Sequence, residues 1–144
     1  MRRFVLLVAA VLLMNIHLST PSFAASMQDQ IKAAYDAFNT AFNKRDAKAV
    51  SGFYTDDAIL LGPGPDHTVF KGPAEIEKFF AGLFDAGITN HNLDLIRAIG
   101  NDNFLVGADK WTAKSKDSAI GGNAVHVFEK QSDGSLKLKL HTFN

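Results

Sequence analysis

The sequence has no cysteine. That excludes thiol catalysis, disulfide staples and any zinc site with thiolate ligands, so a folded domain must rest on an ordinary hydrophobic core. Net charge is also missing, because 15 basic and 15 acidic side chains cancel. Nothing in that balance offers the basic footprint that nucleic acid or an anionic membrane surface requires. Tryptophan occurs once and tyrosine twice, so the aromatic content rests almost wholly on 12 phenylalanines. A phenyl ring donates no hydrogen bond, and a load of this size serves a core or the lining of an apolar pocket. Repeats, low-complexity tracts and internal linkers are absent too, which points to one domain.

Long apolar runs are scarce. The one that stands out, residues 4–14, follows Arg2 and Arg3 and precedes Ser19, Thr20 and Pro21, then Ser22-Phe23-Ala24-Ala25. A positive start, a short apolar stretch and small residues at −3 and −1 of a cut after Ala24 form the pattern of a cleavable export signal. At about 1.5 Å rise per residue the run spans only about half of a ~30 Å hydrocarbon core, too short for a stable membrane anchor. The missing cysteine excludes a lipoprotein. Residues 1–24 are therefore expected to be a signal peptide, and 25–144 a single mature domain, periplasmic or secreted. Setting Arg2 and Arg3 aside leaves that domain with about two net negative charges.

Within the domain, residues 27–44 place Ile31, Ala34, Tyr35, Phe38, Ala41 and Phe42 on one stripe at helical spacing. Asp46 is an N-cap for a second helix, 47–54, which Asp56-Asp57 ends. Residues 58–61 read as a short buried strand, closed by a Gly/Pro turn at 62–66, with 68–71 as its hairpin partner. Gly72-Pro73 opens a third helix that buries Ile76, Phe79, Phe80, Leu83 and Phe84, with Gly87 as its C-cap. From there the period is two. Strands are expected at 91–98, 104–113, 123–131 and 136–143, joined at 100–102, by a Lys/Ser/Gly-rich connection at 114–122, and by a Ser132-Asp133-Gly134 hairpin turn. Helix, helix, hairpin, helix and an antiparallel meander make an α+β domain.

Three motifs follow one another along it: Phe53-Tyr54-Thr55-Asp56-Asp57-Ala58; Val69-Phe70-Lys71-Gly72-Pro73-Ala74-Glu75-Ile76 with Phe79-Phe80; and Asp133-Gly134 before a strand ending His141-Thr142-Phe143-Asn144. Together they resemble the cystatin-like, cone-shaped fold of nuclear transport factor 2, ketosteroid isomerase and the SnoaL-like proteins. The resemblance implies three N-terminal helices packed on a strongly bent antiparallel sheet, around a deep apolar cleft open at one end. It implies no single activity, because function varies widely on this scaffold.

Ketosteroid isomerases use a carboxylate base and an oxyanion pair of a Tyr and a protonated Asp. Carried over by position, the Tyr falls on Phe38, the base on Gly62 and the oxyanion Asp on His126. Two roles are empty and the third has changed chemistry, so a ketosteroid isomerase is not expected. The comparison turns the face of Ala124, His126 and Phe128 inward and puts Asp109 and Trp111 in the cleft. In the last strand Leu136, Leu138 and Leu140 alternate with Lys137 and Lys139. Unless a bulge intervenes the lysine face runs on into His141 and Phe143, and which face lies inside stays open. The candidate ligand-binding residues are thus Tyr35, Phe38, Phe53, Phe79, Phe80, Trp111, Ala124, His126, Phe128, His141 and Phe143, with Asn144 at the rim.

His126 is the candidate central polar group, a hydrogen-bond donor or general acid/base near neutral pH, with Asp109 to orient it or to act as a base itself. The plainer alternatives are a buried histidine satisfied by a carbonyl or water, and an Asp109 paired with a surface lysine. Tyr35 and Trp111 read equally as core. Asp56 and Asp57 diverge as neighbours and suit a turn better than a metal. His67 and His91 are isolated in sequence, and a histidine metal cleft would need His91, His126 and His141 to converge with a carboxylate. No metal or cofactor is expected. The favoured function is an exported binder of a small apolar or amphipathic molecule. The alternatives are an isomerase-, cyclase- or hydratase-type SnoaL-like enzyme using His126 or Asp109 for proton transfer, and a homodimeric association module built on the outer sheet face.

Overall fold

Helix α1 (Met27–Asn43) begins at Ser26, whose side chain accepts from the Asp29 amide, and its stripe of Ile31, Tyr35, Phe38, Ala41 and Phe42 is buried. A computed structural model describes residues 25–63 and 68–144; the expected signal peptide and residues 64–67 of the expected turn lie outside the described residues. Helix α2 (Ala47–Ser51) starts at Asp46, which accepts from the Ala49 amide. It is shorter than the expected 47–54, because Tyr54 leaves the helix to open strand β1 (Tyr54–Leu61). The cause is tertiary: Tyr54 pairs with Leu138, whose amide donates to the Phe53 carbonyl at 2.8 Å. Asp56 and Asp57, expected to end a helix, are exposed strand residues instead.

Strand β2 (Val69–Lys71) is the antiparallel hairpin partner of β1. Helix α3 (Gly72–Asp85) follows, with Pro73 in its first turn. The remaining strands are β3 (Ile88–Gly100), β4 (Phe104–Ser115), β5 (Ser118–Lys130) and β6 (Leu136–Phe143). The connection expected at 114–122 is not a loop. Strands β4 and β5 stay paired to Ser115 and Ser118 and reverse through Lys116-Asp117, with Lys116 at φ 55. Gly122 pairs with Trp111 within the strand, and a Cβ there would collide with Asn144 and the Trp111 indole.

The six strands form one sheet in the order β2-β1-β6-β5-β4-β3. Strand β6 runs parallel to β1 and the other neighbours are antiparallel, so the sheet is mixed where an antiparallel one was expected. The whole chain from β2 to β5 supplies the long connection a parallel pair needs. The β1–β2 hairpin also separates α3 from α1 and α2, so the three helices are not one uninterrupted N-terminal set. Two bulges in β3 and one between β5 and β6 bend the sheet. Its inner face buries Leu60, Leu105, Phe128 and Leu138 with the apolar stripes of α1 and α3.

The last bulge decides which face of β6 lies inside. Val127 pairs with Leu140 and Phe128 with Leu138, leaving Lys139 as the extra residue. Leu138 and His141, three apart, are therefore both buried. Lys139 is turned out, where its ammonium donates to both oxygens of Asp57 at 2.7 Å and holds that carboxyl below the usual carboxylate range. Among the described residues no helix is long and apolar enough to cross a membrane.

Candidate functional site

Between α1, α3 and the strands β3 to β6 the cone encloses a cavity of about 190 Å³ that opens to the outside. Phe38 and Phe42 come from α1, Phe80 and Leu83 from α3, Trp111 from β4 and Phe143 from β6. Among the described residues no charged side chain is in the wall, and its polar groups are the indole of Trp111 and two imidazoles, His91 and His141.

Each imidazole is set by a bulge. In β3 the register break between Thr89 and Asn92 leaves Asn90 at φ 55 and brings His91 to the cavity. Asn43 clamps this bulge, its amide donating to the His91 carbonyl and its Oδ1 accepting from the His91 amide, both at 2.8 Å. The ring stacks on Phe42 with centroids 4.3 Å apart, and Nδ1 lies 2.9 Å from Asn39 Oδ1. Burial, reinforced by His126, pushes the His91 pKa down to about 4. His141 enters through the bulge at Lys139, and its Nδ1 is 2.7 Å from the Tyr54 hydroxyl. Burial, then the neighbouring His126 and His91, push its pKa well below the usual histidine range. Both rings are neutral at pH 7, and burial likewise keeps the Tyr54 hydroxyl protonated.

One layer deeper lies a closed polar cluster. Asp109 Oδ2 accepts from the Tyr35 hydroxyl at 2.6 Å and is 2.8 Å from His126 Nδ1. Burial first, then Asp109, push the Tyr35 pKa up, so the hydroxyl stays a donor. Asp109 Oδ1 and His126 Nε2 are buried without a partner among the described residues. Gly107 makes the cluster possible, since a Cβ there would overlap the Tyr35 hydroxyl. Gly107→Ala is expected to push that hydroxyl off Asp109 and lower stability by about 2–3 kcal/mol in urea unfolding. A loss under about 0.5 kcal/mol would show that the close approach is dispensable.

The residues named from the sequence fall into two sets. Phe38, Phe80, Trp111, His141 and Phe143 line the cavity. Tyr35, Phe53, His126 and Phe128 instead surround a void of about 10 Å³ that shares Phe38 as a wall. Ala124, Phe79 and Asp109 line neither; Phe79 packs among Phe70, Phe80 and Phe143. His126, expected as the central polar group, sits fully buried behind His141, their ring centroids 4.1 Å apart. The β6 bulge is the physical reason, since it gives His141 the position in the wall. Asn144 is tied at the rim, its carbonyl accepting from Trp111 Nε1 at 3.0 Å and its Oδ1 from the Asn123 amide at 2.8 Å.

His91 and Gly107 are the residues that sequence reasoning passed over. Their signals were an Asn before His91, a residue that tolerates left-handed backbone, and a glycine inside an apolar strand, which marks close approach. Among the described residues no three His, Asp or Glu side chains converge to hold a metal. The phenyl ring of Phe38 lies about equally near His91, His126 and His141, with centroid separations of 5.7, 6.4 and 6.3 Å.

The family profile of the SnoaL-like domain matches residues 35–138. No curated protein matches the chain in sequence. Among solved structures, an NTF-2-like protein of unknown function from Shewanella oneidensis superimposes with a TM-score of 0.70 at 14% identity, covering 82% of this chain and 98% of its own. A ketosteroid isomerase-like protein from Erwinia carotovora atroseptica gives 0.66 at 21% identity, covering 79% and 92%. A putative calcium/calmodulin dependent protein kinase II association domain from Xanthomonas campestris gives 0.64 at 20%, covering 80% and 84%. At these identities the likeness is one of fold.

Proposed function

We propose, for a chain that belongs to the SnoaL-like domain family, that it is an exported protein binding a small apolar or amphipathic molecule in the cavity between α1, α3 and the sheet. The observation that carries this reading is the wall itself. Among the described residues its side chains are Phe, Leu, Ile, Ala, Pro and Trp apart from two neutral imidazoles. An apolar surface kept open to water gains about 25 cal/mol per Å² when an apolar occupant covers it. Binding is favoured over proton transfer by His126 or Asp109 because neither side chain lines the cavity. Export rests on the pattern of residues 1–25, and a cut after Ala24 leaves the Ser26 cap of α1 intact.

A second reading concerns the outer face of the sheet. Ile59, Leu140, Val127, Val106 and Ile99 stand opposite one another on five successive strands, and Ile59 and Ile99 are exposed. An apolar row across a whole sheet favours pairing with a second copy of the same face.

Native mass spectrometry of the protein recovered from the periplasm or medium of its expression host tests all of this at once. The expected spectrum shows a chain starting at Ala25, a dimer, and a retained small mass. A chain still carrying residues 1–24 overturns the cleaved signal, and a monomer at micromolar concentration overturns self-association. An empty protein that also takes up no added apolar probe overturns the binding reading.

A further inference from the structure

We infer that the cavity selects a neutral one- or two-ring molecule bearing both a hydrogen-bond acceptor and a hydrogen-bond donor, because its apolar wall presents one fixed N–H at His141 and one fixed lone pair at His91. This rests on the ligand-binding reading of the cavity and adds the chemistry of the ligand to it.

The tautomers follow from the partners on the far side of each ring. The Tyr54 hydroxyl is fully buried, and its partner among the described residues is His141 Nδ1. A buried hydroxyl must place its proton on an acceptor, so Tyr54 donates to Nδ1. The hydrogen of the neutral His141 ring is then on Nε2. At His91 the arrangement is reversed. Asn39 Oδ1 can only accept, so Nδ1 carries the hydrogen and donates to it, which leaves the lone pair on Nε2. Neither Nε2 has a partner among the described residues, and neither is sealed away as His126 Nε2 is. Both rings belong to the cavity wall, so the cavity is where these two edges open.

Size and charge narrow the class further. An apolar cavity of about 150 Å³ holds a benzene ring, so one of about 190 Å³ takes up one ring or two small fused rings within its walls. Among the described residues no Lys or Arg lines the wall. A carboxylate entering it would lose its hydration with no cation to replace it, which disfavours acids.

Calorimetry with indane, indanone, hydroxyindanone and indane carboxylate tests the inference on wild-type protein. These probes share one ring frame and add an acceptor, then a donor, or a charge. Each hydrogen bond is expected to tighten Kd about three- to tenfold, and the carboxylate is expected to bind more weakly than indane. His141→Phe should abolish the advantage of indanone over indane, and His91→Phe the added advantage of the hydroxyl. Ring ¹⁵N spectra of the wild-type protein read the tautomers without any substitution: hydrogen on Nε2 at His141 and on Nδ1 at His91. The opposite tautomer at either ring, equal binding of indane and hydroxyindanone, or tightest binding of the carboxylate overturns the inference and leaves the cavity a binding site. If no probe binds, the binding reading itself falls.

Discussion

Asp109→Ala is expected to lower the stability of the domain by about 3–5 kcal/mol, the usual cost of removing one member of a buried charged or hydrogen-bonded set. Asp109 Oδ2 is the shared acceptor for the Tyr35 hydroxyl at 2.6 Å and His126 Nδ1 at 2.8 Å. All three side chains are buried, so the partners of the carboxylate stay out of reach of bulk water once it is gone. Tyr35 and His126 would then lose the carboxylate they share and keep only each other, the hydroxyl 3.3 Å from Nδ1. Against a total stability of about 5–15 kcal/mol for an ordinary domain, that is a large fraction. In a domain of this length it corresponds to a fall in Tm on the order of 10–20 °C. Asp109→Asn keeps an acceptor for Tyr35 and should cost less, about 1–3 kcal/mol, because only the His126 contact is compromised. Tyr35→Phe in the Asp109→Ala background should cost less than in the wild-type protein, since the hydroxyl has lost its 2.6 Å carboxylate partner and keeps only a 3.3 Å approach to His126 Nδ1. Urea unfolding of the wild-type protein, Asp109→Ala, Tyr35→Phe and the double variant gives the coupling directly. Additive losses, or an Asp109→Ala cost below about 1 kcal/mol, would show that the cluster does not act as a unit.

How far the sequence could be read follows from what kind of information each element carries. The helix stripes, the Ser132-Asp133-Gly134 turn and the paired part of the β1–β2 hairpin are local, and they stand within a residue or two of expectation, although β1 begins at Tyr54 and not at Ala58. Helix α2 and the 114–122 connection were misjudged because distant pairing decided them: Tyr54 with Leu138, and Ile120 to Gly122 with Trp111 to Ala113. The parallel β1–β6 pair has no local signal at all. The site suffered in the same way. Alternation put Ala124, His126 and Phe128 on one face, the family resemblance turned that face inward and placed Asp109 in the cleft, and all four are buried. Alternation has no depth, however, and could not say that this set lies behind the wall. That ordering depends on one extra residue, Lys139, which turns His141 inward over His126. A β-bulge leaves no strong sequence mark beyond a break in the pattern, here the passage from Leu138 to His141.

The same two wall histidines that define the cavity are expected to make the domain acid-sensitive well before its carboxylates titrate. His91 has a pKa of about 4 in the folded protein against its usual 6.5, and His141 is displaced the same way. Above pH 6.5 both rings are neutral in the folded and unfolded chains and pH has no leverage through them. Below it the unfolded chain takes up two protons that the folded chain refuses, so acid favours unfolding. Each such proton is worth about 1.4 kcal/mol per pH unit, and the two together predict a slope near 2–3 kcal/mol per unit between pH 6 and 4.5. His91 alone accounts for a loss on the order of 3 kcal/mol, complete near pH 4. Asp57 contributes in a separate, lower window: its stabilising pair with Lys139 is present above the usual carboxylate pKa and is lost only as pH falls through its depressed one. Unfolding free energies measured from pH 8 to 4.5 isolate the histidine window, which lies above that of Asp57. His91→Gln should cost stability at pH 8, where the Phe42 stack is lost, yet remove about half of the slope below pH 6.5. A flat profile in the wild-type protein, or an unchanged slope in His91→Gln, would mean that these rings accept protons in the folded state and that the wall is wetter than its side chains imply.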